Sequence, residues 1–432
     1  MRQIGIGLLG LGTVGSGVVR LLQDHKDKIS AITGRELVIK RVVVHNPDKK
    51  RDVELPDVPV TADIADMVQD STVQIVVEVM GTIDPAESYI EQLLRAGKHV
   101  VTANKDLIAQ KGARLVDIAQ QKQRDLMYEA SVAGGIPILR TIVNSFAADQ
   151  ILEVSGIVNG TTNYILTQMN QKKVSYAAAL KSAQELGFAE SDPTNDVAGI
   201  DAAYKMIILT QFAFGMNVTL DDIAVEGIDK ISLEDIEQAQ NLGYTIKLIG
   251  AAKQIDGKIN VSVGPALVPT ANPLAAVQNE NNAVVVKGAA VGETMFYGPG
   301  AGELPTANSV LSDIISVTKD IGIGITGNTF NNYRQGAALA PAIAVKSAYY
   351  FALKMRDIPG QMLTLTKVMA ETQASFKQLI QTSSDGDFAH VVMITHEIDL
   401  DQLQKITTRL PIWTILVYYQ HIKFYSAFVS CY

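Results

Sequence analysis

Cysteine is almost absent: Cys431 is the only one in 432 residues, and it sits far from every motif described below. That excludes an intrachain disulfide, a cysteine metal cluster and a catalytic thiol. Basic charge is also short, since 37 lysines and arginines stand against 45 acids for a net of -8. Such a balance leaves no electrostatic footprint for nucleic acid and no basic stripe for an anionic membrane. Long apolar runs are missing too, the longest late one being 412–419 with polar neighbours, too short to span a bilayer. The early run IGIGLLGLGTVGSGVV is followed by no cleavage-site pattern. Neither internal repeats nor low-complexity tracts occur. What remains is 47% hydrophobic residues over a length that suits about three domains, a globular composition expected in the cytoplasm.

The alternation over 3–9 reads as a strand running straight into Gly10, Gly12 and Gly15, and the segment after them is helical. Strand, G-x-G-x-x-G turn and helix in that order favour dinucleotide binding over a mere glycine-rich turn. The first glycine permits the turn, the second lets backbone approach a pyrophosphate, and the third lets helix pack on strand. The helix N-terminus offers its free amides to the phosphates. A second strand over 38–44 should end on an acid if the cofactor is NAD, because that carboxylate binds the ribose hydroxyls. Here it ends on His45-Asn46, with Lys49, Lys50 and Arg51 beyond. That basic turn either lies solvated or holds a 2′-phosphate.

A strand over 73–80 ends at Gly81-Thr82, and another over 99–103 delivers Asn104 and Lys105. Ligands of open parallel sheets collect at strand C-terminal ends, so Lys105 is a candidate contact for cofactor or substrate. The strand 126–130 runs into SVAGGIPI. Glu129 beside that loop offers a carboxylate and carbonyls, an all-oxygen set suited to a hard cation, although a tight strand-to-helix turn is the simpler reading of the residues alone. After a strand near 150–158, Gly160, Thr161 and Thr162 open a helix; the threonines read as caps able to face a small anionic substrate. Alternating stretches at 247–254, 258–268 and 283–291 indicate a mixed sheet, and the glycine-dense 298–302 is a turn or a place of close backbone approach to a ligand, ahead of a helix over 309–322. Residues 328–344 are linker-like, and a βαββαβ order begins near 347 and closes with a strand at 413–419.

The densest chemistry lies in AQELGFAESDPTNDVAGIDAAYK, residues 183–205. A helix begun near Ser175 stops at Gly187. The loop 188–195 gathers Glu190, Asp192 and Pro193, and Asp196 is placed to cap a helix over 197–214. Asp201 and Lys205, four apart, share one face of that helix. The apolar run MIILTQFAF pulls the helix into a core, which sets the pair at a cavity wall; a buried ion pair is the purely structural alternative.

This segment resembles the signature of homoserine dehydrogenases at each position that signature fixes: Gly187, Asp192, Pro193, Asp196, Gly199, Asp201 and Lys205. The likeness extends to GLLGLGTVG, TANK at 102–105, YEASVAGGIPI at 128–138, GIVNGTTNYIL at 156–166 and GPGAGELPTANSVLSDI at 298–314, and so covers about the first 330 residues. The C-terminal unit resembles an ACT domain. The resemblance implies an α/β fold: an N-terminal Rossmann NAD(P)-binding domain over 1–135 completed by a helix near 305–325, a mixed α/β catalytic and oligomerisation domain over 136–304, and an ACT-like regulatory domain over 347–432. It implies reversible NAD(P)-dependent interconversion of L-homoserine and L-aspartate 4-semialdehyde, within threonine, methionine and isoleucine biosynthesis.

By the same resemblance Lys205 is the acid/base, Lys105 stands between cofactor and substrate, and Glu190 and Asp201 bind substrate with Asp196 and Thr161 beside them. Cofactor contacts fall on Gly10, Leu11, Gly12, Thr13, Val14, Gly15, His45, Thr82, Lys105 and Gly302, and a monovalent cation, sodium, on Glu129, Val132, Gly134 and Ile136. Many relatives carry arginine where His45 stands, so mixed NAD and NADP use is expected. A homodimer or homotetramer and an amino-acid effector at the ACT-like unit are further implications, although the tail from 421 departs from a usual ACT ending. Two rivals are weaker. Aspartate-semialdehyde dehydrogenase needs a nucleophilic cysteine that this chain lacks, and a non-catalytic amino-acid sensor would have no use for Lys105, Asp201 and Lys205.

Overall fold

A strand buried on both faces must be apolar along its length, and β1 (Gln3–Leu9) meets that demand, with Ile4, Ile6, Leu8 and Leu9 all inaccessible. The computed structural model describes residues 2–336, 338–410 and 421–424. In it β1 joins β2 (Glu36–Val43), β3 (Val60–Thr61), β4 (Val73–Glu78), β5 (His99–Thr102) and β6 (Leu126–Met127) in a sheet ordered β3-β2-β1-β4-β5-β6. Every pairing is parallel. This is the doubly wound order of dinucleotide-binding domains, whose strand sequence reverses between β1 and β4 and opens a crevice at their carboxyl ends. The strand ending at 80 by sequence stops at Glu78, and the one expected over 126–130 is two residues long before a 3-10 turn at Glu129–Ser131. β3, also two residues, is too short for alternation to reveal.

The chain divides into two units. The first holds Met1–Val154, Tyr204–Asp221 and Asn282–Gly336; the second holds Ser155–Ala203, Asp222–Asn281 and Ala337–Tyr432. In the first unit the helix Glu303–Ile323 packs on the helix Thr13–Asp24 so closely that a Cβ on Gly17 would lie 2.8 Å from Glu303 and 3.0 Å from Ala307. The strand Gly292–Pro299, unforeseen in the sequence, follows Asn281–Gly288 as its neighbour.

The second unit contains a mixed sheet. Tyr244–Ile255 and Lys258–Pro269 pair antiparallel over their full length, while Ala224–Val225 and His421–Phe424 run parallel to the latter. Its C-terminal part has the order strand Tyr349–Arg356, helix Gln361–Glu371, strands Phe376–Asp385 and Phe388–Thr395, helix Leu400–Arg409. Tyr349, Phe351, Leu365, Met369, Val391 and Ile406 are among the side chains of its core. His421–Phe424 lies beside Tyr349–Arg356, which pairs with Phe388–Thr395 and that in turn with Phe376–Asp385, all antiparallel. The strand expected at 413–419 lies outside the described residues.

Candidate active site

The glycine loop after β1 distributes its three roles as the spacing demands. Gly10 has φ +98°, and a Cβ there would meet the Val79 carbonyl at 2.8 Å; a Cβ on Gly15 would lie 2.5 Å from the Gly10 carbonyl. A Cβ on Gly12 would meet nothing within 4 Å outside its own stretch of chain, which leaves room there for a pyrophosphate to approach. Gly12 is the N-cap of the helix Thr13–Asp24 and supplies no side-chain bond, which leaves the first-turn amides for an anion. Leu11 is buried, Val14 half-buried and Thr13 exposed. At the end of β2, His45 is exposed and no carboxylate takes its place. Arg51 is turned back on its own loop, donating to the carbonyls of Asn46 at 2.8 Å, Pro47 at 3.3 Å and Lys49 at 2.6 Å, while Lys49 and Lys50 remain exposed.

Lys105 opens the helix Lys105–Gln121 directly after β5. Its neighbour Asn104 is the N-cap: Oδ1 accepts from the Leu107 amide at 3.2 Å, and Nδ2 donates to the Thr82 carbonyl at 2.7 Å. Lys105 itself is half-buried, with Asp106 3.4 Å away. The helix Ile200–Phe214 begins in the second unit and ends in the first, so Lys205 belongs to the first, where it too is half-buried. In that unit a cavity of about 300 Å³ is walled by Ile108 and Gly112 on the Lys105 helix and by Ile208 and Gln211 on the Lys205 helix. The two lysines thus stand about a turn before residues that face one space.

Below the sheet ends, Glu129 is 1% exposed and places its two oxygens on the amides of Leu139 and Arg140, both at 2.8 Å, which caps the helix Ile138–Ser145. Its own amide donates to Asp313 at 2.9 Å, and Arg140 binds Asp313 in turn. Two buried carboxylates therefore share one guanidinium. Burial pushes Asp313 up to about 7 and raises Glu129, with Arg140 opposing both shifts. Ala133 and Gly134 take successive left-handed turns, φ +51° and +27°, and a Cβ on Gly134 would sit 2.6 Å from the Gly300 carbonyl. The carbonyl of Gly134 accepts from Ser309 at 2.6 Å and that of Ile136 from Ile138 at 2.8 Å, each keeping a second lone pair. Glu129 and these carbonyls are all oxygen donors, the type that a hard cation of single charge takes. Among the described residues no group of three or more His, Cys, Asp or Glu is arranged for a metal ion.

In the second unit the hub is Asn159. Its Nδ2 donates to Asp196 and to Asp201, both at 2.7 Å, and its Oδ1 accepts from the Thr162 amide and hydroxyl, both at 2.8 Å. All four hydrogen-bonding positions of the amide are used. Asn159, and not Thr161 or Thr162, is the N-cap of the helix Gly160–Lys172. The Thr161 hydroxyl donates to the Phe188 carbonyl at 2.6 Å and so ties down the loop that carries exposed Glu190. Gly187, at φ +77°, ends the preceding helix as expected. Asp196 lies inside a short helix, Thr194–Val197, that Gly199 at φ +83° separates from Ile200–Phe214; the continuous helix over 197–214 does not form.

Two family models match the chain, one described as the homoserine dehydrogenase NAD binding domain over residues 10–129 and one as homoserine dehydrogenase over 137–315. The homoserine dehydrogenase of Bacillus subtilis (strain 168) is 48% identical over 398 residues, 92% of either chain. That of Lactococcus lactis is 42% identical over 409 residues, 94% of this chain and 96% of that one. The chain belongs to the homoserine dehydrogenase family. It is an oxidoreductase with a dinucleotide-binding domain. A homoserine dehydrogenase structure from Thiobacillus denitrificans superposes with a TM-score of 0.93 at 36% identity, covering 98% of each chain. A hyperthermophilic archaeal homoserine dehydrogenase in complex with NADPH reaches 0.62 at 26% identity, and covers 73% of this chain but 98% of its own.

For this dehydrogenase the first unit collects Gly10 to Gly15, His45, Thr82, Lys105, Lys205, Gly302 and the Glu129 loop, and the second collects Thr161, Glu190, Asp196 and Asp201. Sequence reasoning missed Asn159, Glu78 and Asp313. Asn159 carried a usable signal, since asparagine just before Gly-Thr-Thr outranks threonine as a cap. Asp313 gave none, lying 184 residues from its partner Glu129.

Proposed function

We infer that the chain catalyses the reversible interconversion of L-homoserine and L-aspartate 4-semialdehyde, with Lys205 as acid/base, Lys105 between cofactor and substrate, and Glu190 and Asp201 holding substrate. The observation that carries this reading is the helix Ile200–Phe214: Asp201, 8% exposed and fixed by Asn159, stands one turn before Lys205 on one face. A nicotinamide held by the first unit would supply the acceptor for the hydride of the alcohol carbon. Lys205 Nζ accepts the hydroxyl proton as the hydride leaves, and in reduction the same atom returns it. Carboxylates at Glu190, Asp196 and Asp201 attract the substrate's ammonium group. Thr161, its hydroxyl proton committed to Phe188, orders the Glu190 loop.

Gly10, Gly12, Gly15 and Gly302 with Leu11, Thr13, Val14 and Thr82 line the dinucleotide's path, and exposed His45, Lys49 and Lys50 suit NADP as well as NAD. The NADPH bound by the archaeal relative supports that range. Glu129 and the carbonyls of Val132, Gly134 and Ile136 would hold sodium, which would add positive charge beside the two buried carboxyls and tie down the loop. The domain roles follow: dinucleotide binding over 1–135, catalysis and assembly over 136–304, amino-acid regulation over 347–432. The strand order of the last, His421–Phe424 beside the first strand and the third strand between first and second, is the one a βαββαβ module makes, which supports the ACT-like reading. Assembly as a dimer or tetramer is supported by the outermost strand Gly292–Pro299, which exposes Met295 and Tyr297. The place in threonine, methionine and isoleucine biosynthesis follows from the reaction.

Nicotinamide absorbance with L-homoserine, run in parallel with NAD and NADP, tests the reading. Wild type is expected to turn over with both, and Lys205→Ala to lose about 10²–10⁴-fold in kcat while still binding cofactor. Absence of turnover in both directions from a protein that binds nucleotide would leave a sensor in place of an enzyme.

A further inference from the structure

We propose that Glu78 and Thr102 are positioning residues for Lys105, acting through Asn104. A strand buried on both faces has no need of an acid, yet β4 ends on Glu78, whose side chain is fully inaccessible. Burying a carboxylate is costly unless its oxygens are bonded. Its partners are not cations. Thr102, directly opposite on β5, donates its hydroxyl to Oε2 at 2.6 Å, and the amide of Met80 donates to Oε1 at 2.8 Å. These groups lie where the two strands leave the sheet, as do the Gly81 amide and the Asn104 side chain, which also interact with the carboxylate. The Thr102 oxygen then accepts from the Asn104 amide at 3.0 Å. Asn104 in turn caps the Lys105 helix and grips the Thr82 carbonyl.

One chain of bonds therefore runs from the buried carboxylate to the residue next to Lys105 and to the Thr82 loop. Where neighbouring parallel strands diverge, backbone bonding between them ends; the last backbone link here is the long 3.3 Å contact from the Ala103 amide to the Glu78 carbonyl. Beyond it, the side chains of Glu78, Thr102 and Asn104 fix the exit angles of both loops. An apolar pair would fill the same volume and fix neither. The proposal rests on the reading of Lys105 as a residue that contacts cofactor and substrate.

A double-mutant cycle separates positioning from general stability. Thr102→Val keeps the shape and removes the hydroxyl; Thr102→Ser keeps the hydroxyl; each is made with Lys105 present and with Lys105→Ala. Two readouts are taken: kcat/KM for homoserine oxidation, and homoserine affinity by calorimetry in the non-reacting complex with reduced cofactor, which needs no turnover. With Lys105 present, Thr102→Val is expected to lose about 10–100-fold in kcat/KM, in line with an ångström-scale misplacement, and Thr102→Ser to stay within about threefold of wild type. In the Lys105→Ala background Thr102→Val is expected to change homoserine affinity less than about twofold. If the losses multiply, Glu78 and Thr102 only stabilise the sheet and the proposal falls. If Lys105→Ala alone changes neither readout, it is the reading of Lys105 that fails, and the proposal with it. Should Thr102→Val not fold, Glu78→Gln, which turns one acceptor into a donor, serves in the same cycle.

Discussion

Asn159 shows how much a single neutral side chain can hold. Two carboxylates, Asp196 and Asp201, accept from the two N–H groups of one amide, while its oxygen caps the helix Gly160–Lys172. Removing it takes away the cap and leaves Asp201, buried, without a donor it uses now. Asn159→Ala is expected to lower the unfolding free energy by about 1–3 kcal/mol, read from urea midpoints. Asn159→Asp tests the electrostatic half of the claim. It keeps a capping oxygen but brings a third acid against two others, so its stability deficit should exceed that of the alanine variant at pH 8 and shrink as the pH is lowered towards 5. An aspartate variant as stable as wild type at pH 8 would show that the two acids do not depend on the amide.

At the scale of elements, the glycine loop separates folding from binding within one motif. A Cβ on Gly15 has a carbonyl at 2.5 Å, whereas one on Gly12 has nothing within 4 Å. Gly15→Ala should therefore destabilise the protein by about 1–3 kcal/mol through forced separation of helix and strand. Gly12→Ala should leave Tm almost unchanged and raise the KM for dinucleotide about tenfold or more, because the methyl group occupies the approach of the pyrophosphate. Equal losses of Tm in the two variants would refute the division. These local roles were legible in the sequence because spacing alone fixes them, and so were β1, β2, β4 and β5, each marked by adjacent or alternating aliphatic residues. β3, two residues long, owes its pairing to its neighbour and left no pattern, whereas β6 was legible as a strand and is only shorter than the 126–130 expected, ending at Met127. The break at Gly199 was misread as helix interior, since apolar periodicity continues across it. The carboxylate network was legible only at its ends: Asp196 and Asp201 are visible in the sequence, but the asparagine joining them lies 37 and 42 residues away.

Glu129, Arg140 and Asp313 form a cluster that exists only when distant stretches of the folded unit meet, so it reports on the folded molecule as a whole. A single guanidinium cannot hold two buried carboxylates ionised at no cost, and burial lifts Asp313 from its ordinary 3.8 to about 7. The folded-state value lies above the unfolded one. Between about pH 4 and 7 the native protein therefore keeps a proton that the unfolded chain has released, and the cluster's contribution to stability declines as pH rises through that window, levelling off above it. Asp313→Asn removes this dependence, so the difference in Tm between wild type and variant should change between pH 5 and 8. A sodium ion on Glu129 and the carbonyls of Val132, Gly134 and Ile136 would supply the missing positive charge, and would do so only once both acids are ionised. Sodium should then raise Tm more at pH 8 than at pH 5 when compared with tetramethylammonium at equal ionic strength, which is too large to enter the loop. Identical melting curves in the two salts at both pH values would mean that Arg140 alone balances the cluster and that no cation is held there.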